Sequence, residues 1–212
     1  MVRTLFLASV LVLTGCSTAY YAAMEKVGVH KRDILVDRVE EARDAQVESQ
    51  QEFKDALDEL SQLIKFHGGD LQSRYEALSA QYEDSKKAAA EVSSRISKVE
   101  TVAFDLFAEW ETELSQYQSK QLPADSKKKL LETKRQFDAL LRVMRRAESK
   151  MPPVLRVLND NVLYLKHNLN AKAVGAIQGE FGMLQQDVNS LVSEMNKAIA
   201  ESNQFIATIN QQ

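Results

Sequence analysis

The sequence predicts an all-α protein, an elongated antiparallel bundle or coiled coil of about four long helices. Three observations predict it. Apolar and small side chains recur at alternating spacings of four and three along most of the chain, as in helices that bury one stripe against partner helices. Glycine and proline are scarce, at 7 and 3 of 212 residues, whereas sandwiches, barrels and nucleotide-binding α/β folds need many connections rich in both. The few break signals leave long segments between them, each ~60–75 Å if helical throughout at 1.5 Å per residue. A formal charge of −3 argues against nucleic acid as a partner, and a lone cysteine excludes a disulfide framework or a cysteine-based zinc site.

Residues 1–16, MVRTLFLASVLVLTGC, precede the helices. Arg3 provides a positive start, and Leu5 to Leu13 an apolar stretch too short to cross a bilayer as a helix. Leu13-Thr14-Gly15-Cys16 resembles the lipobox of bacterial lipoproteins in order, position and context. That resemblance implies a signal peptide over 1–15, cleavage before Cys16, and acylation of Cys16. Two or more acyl chains hold a protein stably on a membrane, where a single chain holds it marginally. Ser17, where the sorting rule of such lipoproteins places Asp for inner-membrane retention, implies the outer membrane. Residues 16–32 then form an acylated tether and the start of the first helix. Residues 33–212 form the helical domain. Tyr20 and Tyr21, just after the anchor, suit a membrane interface.

The first helix is expected to be established by Asp33. Its stripe is Leu35, Val39, Ala42, Gln46, Ser49, Phe53, Ala56, Leu60 and Leu63, polar in the middle. His67-Gly68-Gly69 ends it, and Asp70 offers an N-cap for the next. The second helix carries Leu71, Tyr75, Leu78, Tyr82, Ser85, Ala89, Val92, Ile96, Val99, Ala103, Leu106, Trp110 and Tyr117. A 3.5-residue period sustained over ~6 heptads implies left-handed supercoiling. Asp125 is expected to cap the third helix, whose face includes Leu130, Leu131, Phe137, Leu140, Leu141, Met144 and Ala147. Pro152-Pro153 predicts a kink or short break there, before the pattern resumes at Val154. Asn170 is expected to cap a fourth helix with the stripe Val174, Ile177, Phe181, Leu184, Val188, Leu191, Met195, Ala198, Ser202, Phe205 and Ile209. Gly175, Gly179 and Gly182 share one face of it, which predicts close helix packing or else a bent segment.

Charge is unevenly spread. Residues 17–119 hold 12 basic and 21 acidic side chains, whereas residues 120–156 hold 11 basic and 4 acidic. The basic helix is expected to lie beside the acidic ones and complement them across flanking positions. A sharper reading takes Lys127, Lys128, Lys129, Arg145 and Arg146 as a patch for an anionic partner such as lipid headgroups. Three lysines at a helix N-terminus oppose the helix dipole, which keeps that reading in play.

No catalytic constellation is legible. His30, His67 and His167 have no ligand partner at helical spacing, and no nucleophile elbow, P-loop or dinucleotide fingerprint occurs. Glu109, Glu111 and Glu113 flank Trp110 without converging, and read as a solvated patch near Lys127–Lys129. No catalytic residue, cofactor, metal or small-molecule substrate is expected.

The lipobox, the segment from Tyr21 to Val39 (YAAMEKVGVHKRDILVDRV) and the segment from Leu163 to Gly175 (LYLKHNLNAKAVG) resemble a family of Gram-negative lipoproteins labelled domain of unknown function 2959. The similarity covers nearly all of the chain after the signal peptide. It implies an envelope location and a helical fold, and brings no catalytic residues. The resulting expectation is a non-enzymatic scaffold or adaptor on the periplasmic face of the outer membrane. It would be held through lipid on Cys16, with a protein partner or a second copy bound through its coiled coil. The alternative is a bundle that binds or remodels anionic membranes.

Overall fold

In a computed structural model of the chain, residues 21, 24, 28–65, 68, 70–119 and 121–211 are described. They form four α-helices: α1 (Lys31–Ile64), α2 (Leu71–Leu114), α3 (Gln121–His167) and α4 (Ala171–Asn210). α1 packs on α2, α2 on α3, α3 on α4, and α4 closes the ring against α1. Neighbours are antiparallel. Arg74 bonds Gln62, Ser85 bonds Glu52 and Arg95 bonds Glu41, so numbers rise on α2 as they fall on α1. Arg43 to Asn203 and Gln50 to Asn196 give the same sense between α1 and α4. The result is an up-down-up-down bundle whose helices are ~50–70 Å long.

The 4-3 stripes are the core. Every member of the α1 stripe is buried, including Gln46 and Ser49. On α4 the whole stripe is buried except half-buried Phe181. Phe107 of α2, Phe137 of α3 and Phe205 of α4 meet in one aromatic cluster. Ring centroids are 5.6 Å apart for the first pair and 6.1 Å for the second.

Two caps are as expected. Asp70 accepts a hydrogen bond from the Gln72 N–H at 3.0 Å, and Asn170 accepts one from the Ala173 N–H at 3.1 Å. Gly68 has a φ of +144°, a conformation that glycine takes without strain.

Four expectations need correction. Asp125 does not cap the third helix, which begins at Gln121, where Ser119 Oγ accepts from the backbone N–H groups of Gln121 and Leu122 at 3.3 and 3.5 Å. Pro123 in the first turn has its φ already set and lacks an N–H that would be orphaned there anyway. Asp125 lies inside the helix, 3.9 Å from Lys129 Nζ. Of the kink or short break expected at Pro152-Pro153, the break does not occur, since α3 is one continuous helix. Both prolines are exposed between buried Met151 and Val154, so core packing carries the helix across while water can reach the carbonyls left unpaired.

The α4 glycines are not packed against a neighbour. All three are exposed, and a Cβ on any of them would meet nothing within 4 Å. The opposite face of that segment, at Val174, Ile177 and Leu184, is what holds it. Leu131 and Tyr117, counted in the apolar stripes, are 58% and 43% exposed.

Gly28 has a φ of +84°, and the Val29 N–H bonds the Met24 carbonyl at 3.0 Å, the six-to-one closure of a Schellman turn. Tyr21 is buried in a groove between α1 and α2 lined by Ile34, Arg38, Ser97, Lys98, Thr101 and Val102.

Candidate interaction surface

The seams between helices are laced with charge, in the arrangement expected for a basic helix beside acidic ones. Lys134 of α3 bonds Glu111 of α2 at 2.5 Å and lies over the Phe107 ring. Arg145 of α3 bonds Glu100 of α2 and also Glu148 on its own helix. Arg146 faces the other seam, with its Nε 3.2 Å from Glu194 of α4. Lys31 bonds Glu109 at 2.6 Å and sits 5.3 Å over the Tyr21 ring. Glu109 and Glu111 thus serve different seams rather than one solvated patch. Trp110 between them donates its indole N–H to Ser126 Oγ at 2.8 Å, pinning the start of α3 to the end of α2.

Glu194 is buried and held between two cations. Its hydrogen bond from Lys197 lowers its pKa below the usual carboxylate value. Burial opposes this, while the charges of Arg146, Lys197 and Lys150 add to the lowering. At Glu41 burial works to raise the pKa, but hydrogen bonds and charge from Arg38 and Arg95 outweigh it and the net shift is downward. A carboxylate with a lowered folded-state pKa contributes stability above its unfolded pKa, and that stability is lost as pH falls through the folded value. Unfolding midpoints in urea should therefore be level near neutrality and fall below about pH 4. Glu194→Gln should be less stable than the parent at pH 7 and show a shallower acid limb. An acid limb identical to the parent's would mean that Glu194 does not drive it.

The five residues expected to form an anionic-partner patch do not come together. Lys127, Lys128 and Lys129 are exposed in the early turns of α3. Arg145 and Arg146 lie ~25 Å further along the helix, committed to carboxylates on opposite seams. Lys127 and Lys128 have no carboxylate partner among the described residues, nor does Lys98 on α2. Cys16 lies outside the described residues, as do Lys120 and His67. His30 caps α1, its backbone N–H donating to Asp33 Oδ2 at 3.1 Å, and His167 ends α3 in solvent. Among the described residues no three His, Cys, Asp or Glu side chains are grouped to hold a metal ion. No helix formed by them is long and apolar enough to cross a membrane.

A model for one family matches residues 20–209, the whole bundle together with the Tyr21 turn. The chain belongs to that family. It is described as protein of unknown function (DUF2959). No curated protein and no solved structure matches the chain. For this DUF2959 chain the clues therefore lie in its own surface. Several large apolar side chains that the periodic pattern does not mark as exposed stand at the surface, Phe104, Leu131, Leu122, Met183 and Val47 among them. Phe104 is 74% exposed on α2, and Leu131 stands beside the free lysines of α3. Phe104 falls outside the 4-3 stripe, whose neighbouring members are Ala103 and Leu106, so the signal was present. Leu131 adjoins the true core residue Leu130, and a pattern alone does not tell which of two adjacent leucines faces inward.

Proposed function

We propose that this protein is a lipid-anchored, non-enzymatic scaffold or adaptor on the periplasmic face of the outer membrane. One observation carries the reading. The chain is folded onto the bundle by Tyr21, only five residues after the lipobox cysteine, so an acylated Cys16 would lie within ~18 Å of the α1–α2 groove. An anchor on so short a tether presents a rigid rod of ~70 Å rather than a freely trailing domain. The charged seams are consumed in holding the helices to each other, which leaves the outer faces for contact with partners.

Cys16→Ala should move the protein from the membrane fraction to the soluble envelope fraction, and the mass of the parent's N-terminal peptide should include acyl chains. Ser17→Asp should shift the lipidated protein to the inner membrane. A Cys16→Ala protein that remains membrane-bound, with an unmodified parent peptide, would end the anchor reading. Affinity capture of the lipidated protein from crosslinked cells, followed by mass spectrometry, tests the adaptor role. One dominant envelope protein supports it, and self-crosslinks and lipid alone count against it.

A further inference from the structure

The outer face of α2 differs from its seams. The acidic residues Glu100, Glu109 and Glu111 are turned into ion pairs with neighbouring helices. Around them the outward positions are mostly small or neutral, such as Ser94, Ser97, Thr101 and Ala108, with Lys98 exposed, Phe104 projecting and one half-buried carboxylate, Asp105, that has no ion pair among the described residues. Ser97 and Thr101 line the groove that holds Tyr21. Phe104 follows them by seven and three residues and so stands on the same face. Glu111, seven beyond Phe104, bonds Lys134. On α3, Leu131 lies three residues before Lys134 and four after Lys127, again on one face. A continuous surface therefore runs from the Tyr21 groove across Phe104 to Leu131, Lys127 and Lys128.

We propose that this surface, with Phe104 and Leu131 as apolar inserts and Lys98, Lys127 and Lys128 as free cations, docks on an anionic lipid bilayer and lays the bundle along it. The occupant follows from two facts. Unpaired cations outnumber unpaired carboxylates on these faces among the described residues, Lys98, Lys127, Lys128 and Arg142 against Asp105 and Asp138, and isolated apolar residues among an excess of cations suit a headgroup layer. Tyr21, five residues after Cys16 in sequence, sits on the same side, so the membrane that would hold the anchor is within reach of the patch. An acyl anchor and a basic patch are complementary attachments. The inference rests on the lipid-anchor reading for its geometry, and its test separates the two.

Cys16 is the chain's only cysteine, so a thioether-bound Cys16 leaves no thiol to label. Phe104→Cys, Leu131→Cys and, on α4 across the bundle, Asn189→Cys are each labelled with an environment-sensitive thiol dye. The labelled proteins are reconstituted with vesicles of phosphatidylglycerol and phosphatidylcholine. The dye at 104 and 131 should shift to the blue and brighten, while that at 189 should not change. The response should disappear on phosphatidylcholine alone and in Lys98→Glu/Lys127→Glu/Lys128→Glu. No response at 104 and 131, an equal response at 189, or indifference to both lipid charge and lysine reversal would overturn the docking.

If the parent chain itself takes the dye, the anchor reading fails alone. The docking is then decided in the Cys16→Ala background by sedimentation with the same vesicles. Each reversed lysine should weaken that binding by about fivefold or more. Absence of sedimentation there overturns the docking, as does an acidic protein crosslinked through these lysines in place of lipid.

Discussion

Phe137→Ala is expected to destabilise the bundle by ~3–5 kcal/mol, read as a lowered urea midpoint with little change in slope. Phe137 is 6% exposed and joins three of the four helices, its ring edge-on to Phe107 of α2 and tilted against Phe205 of α4. Truncation removes a large apolar surface from the core and leaves a cavity between helices too long to collapse around it. The aromatic pairs add ~0.5–1.5 kcal/mol each beyond area burial. Phe104→Ala is the control. Its side chain is 74% exposed, so its loss should change stability by less than ~0.5 kcal/mol. Equal effects at the two positions would contradict the packing described for α2, α3 and α4.

Gln46→Leu is expected to act in the opposite direction, raising stability by ~1–3 kcal/mol. Gln46 is fully buried on α1, and neither its amide nitrogen nor its amide oxygen has a hydrogen-bond partner among the described residues. Ser49, one turn further on the same face, is also buried with an unpartnered hydroxyl. Elsewhere in the core the buried hydroxyls are satisfied. Ser85 donates to the Glu52 carbonyl, Ser202 to Ala198 and Thr133 to Lys129. An unpaired buried amide loses its hydration without replacement, whereas leucine of similar size would recover apolar contact. A polar group at one stripe position is a known means of choosing register and partner number at a cost in stability. The more stable Gln46→Leu protein should therefore also tend toward mixed association states in analytical ultracentrifugation. Loss of stability in this variant would show that a buried water satisfies the amide.

The helical stripes were legible because a period near 3.5 survives in any helix that buries one side. Leu35 through Leu63 shows this best, since all nine of its stripe members are buried in the bundle. Asp70 and Asn170 were legible as caps because short polar side chains at helix starts act locally. The start of α3 was not, because Ser119 and Pro123 competed with Asp125 as signals and a cap is decided within one turn. Continuity through Pro152-Pro153 was not legible either. Local propensity argued for a break, and the buried neighbours Met151 and Val154 override it.

The candidate surface divides in the same way. The lysines were visible as a charge excess, since that is a property of adjacent residues. That Arg145 and Arg146 turn to opposite seams depends on which helices flank α3, and a linear charge count carries no such information. The three glycines of α4 lie on one helical face by spacing alone, but only the placement of α1 and α3 decides that this face meets solvent. By itself, then, the sequence determined the helices, their number and their inward stripes, because these follow from local geometry repeated along the chain. Only the tertiary structure decided which charges are spent between helices and which remain outside, because ion pairing depends on the closing of the ring rather than on neighbours in sequence.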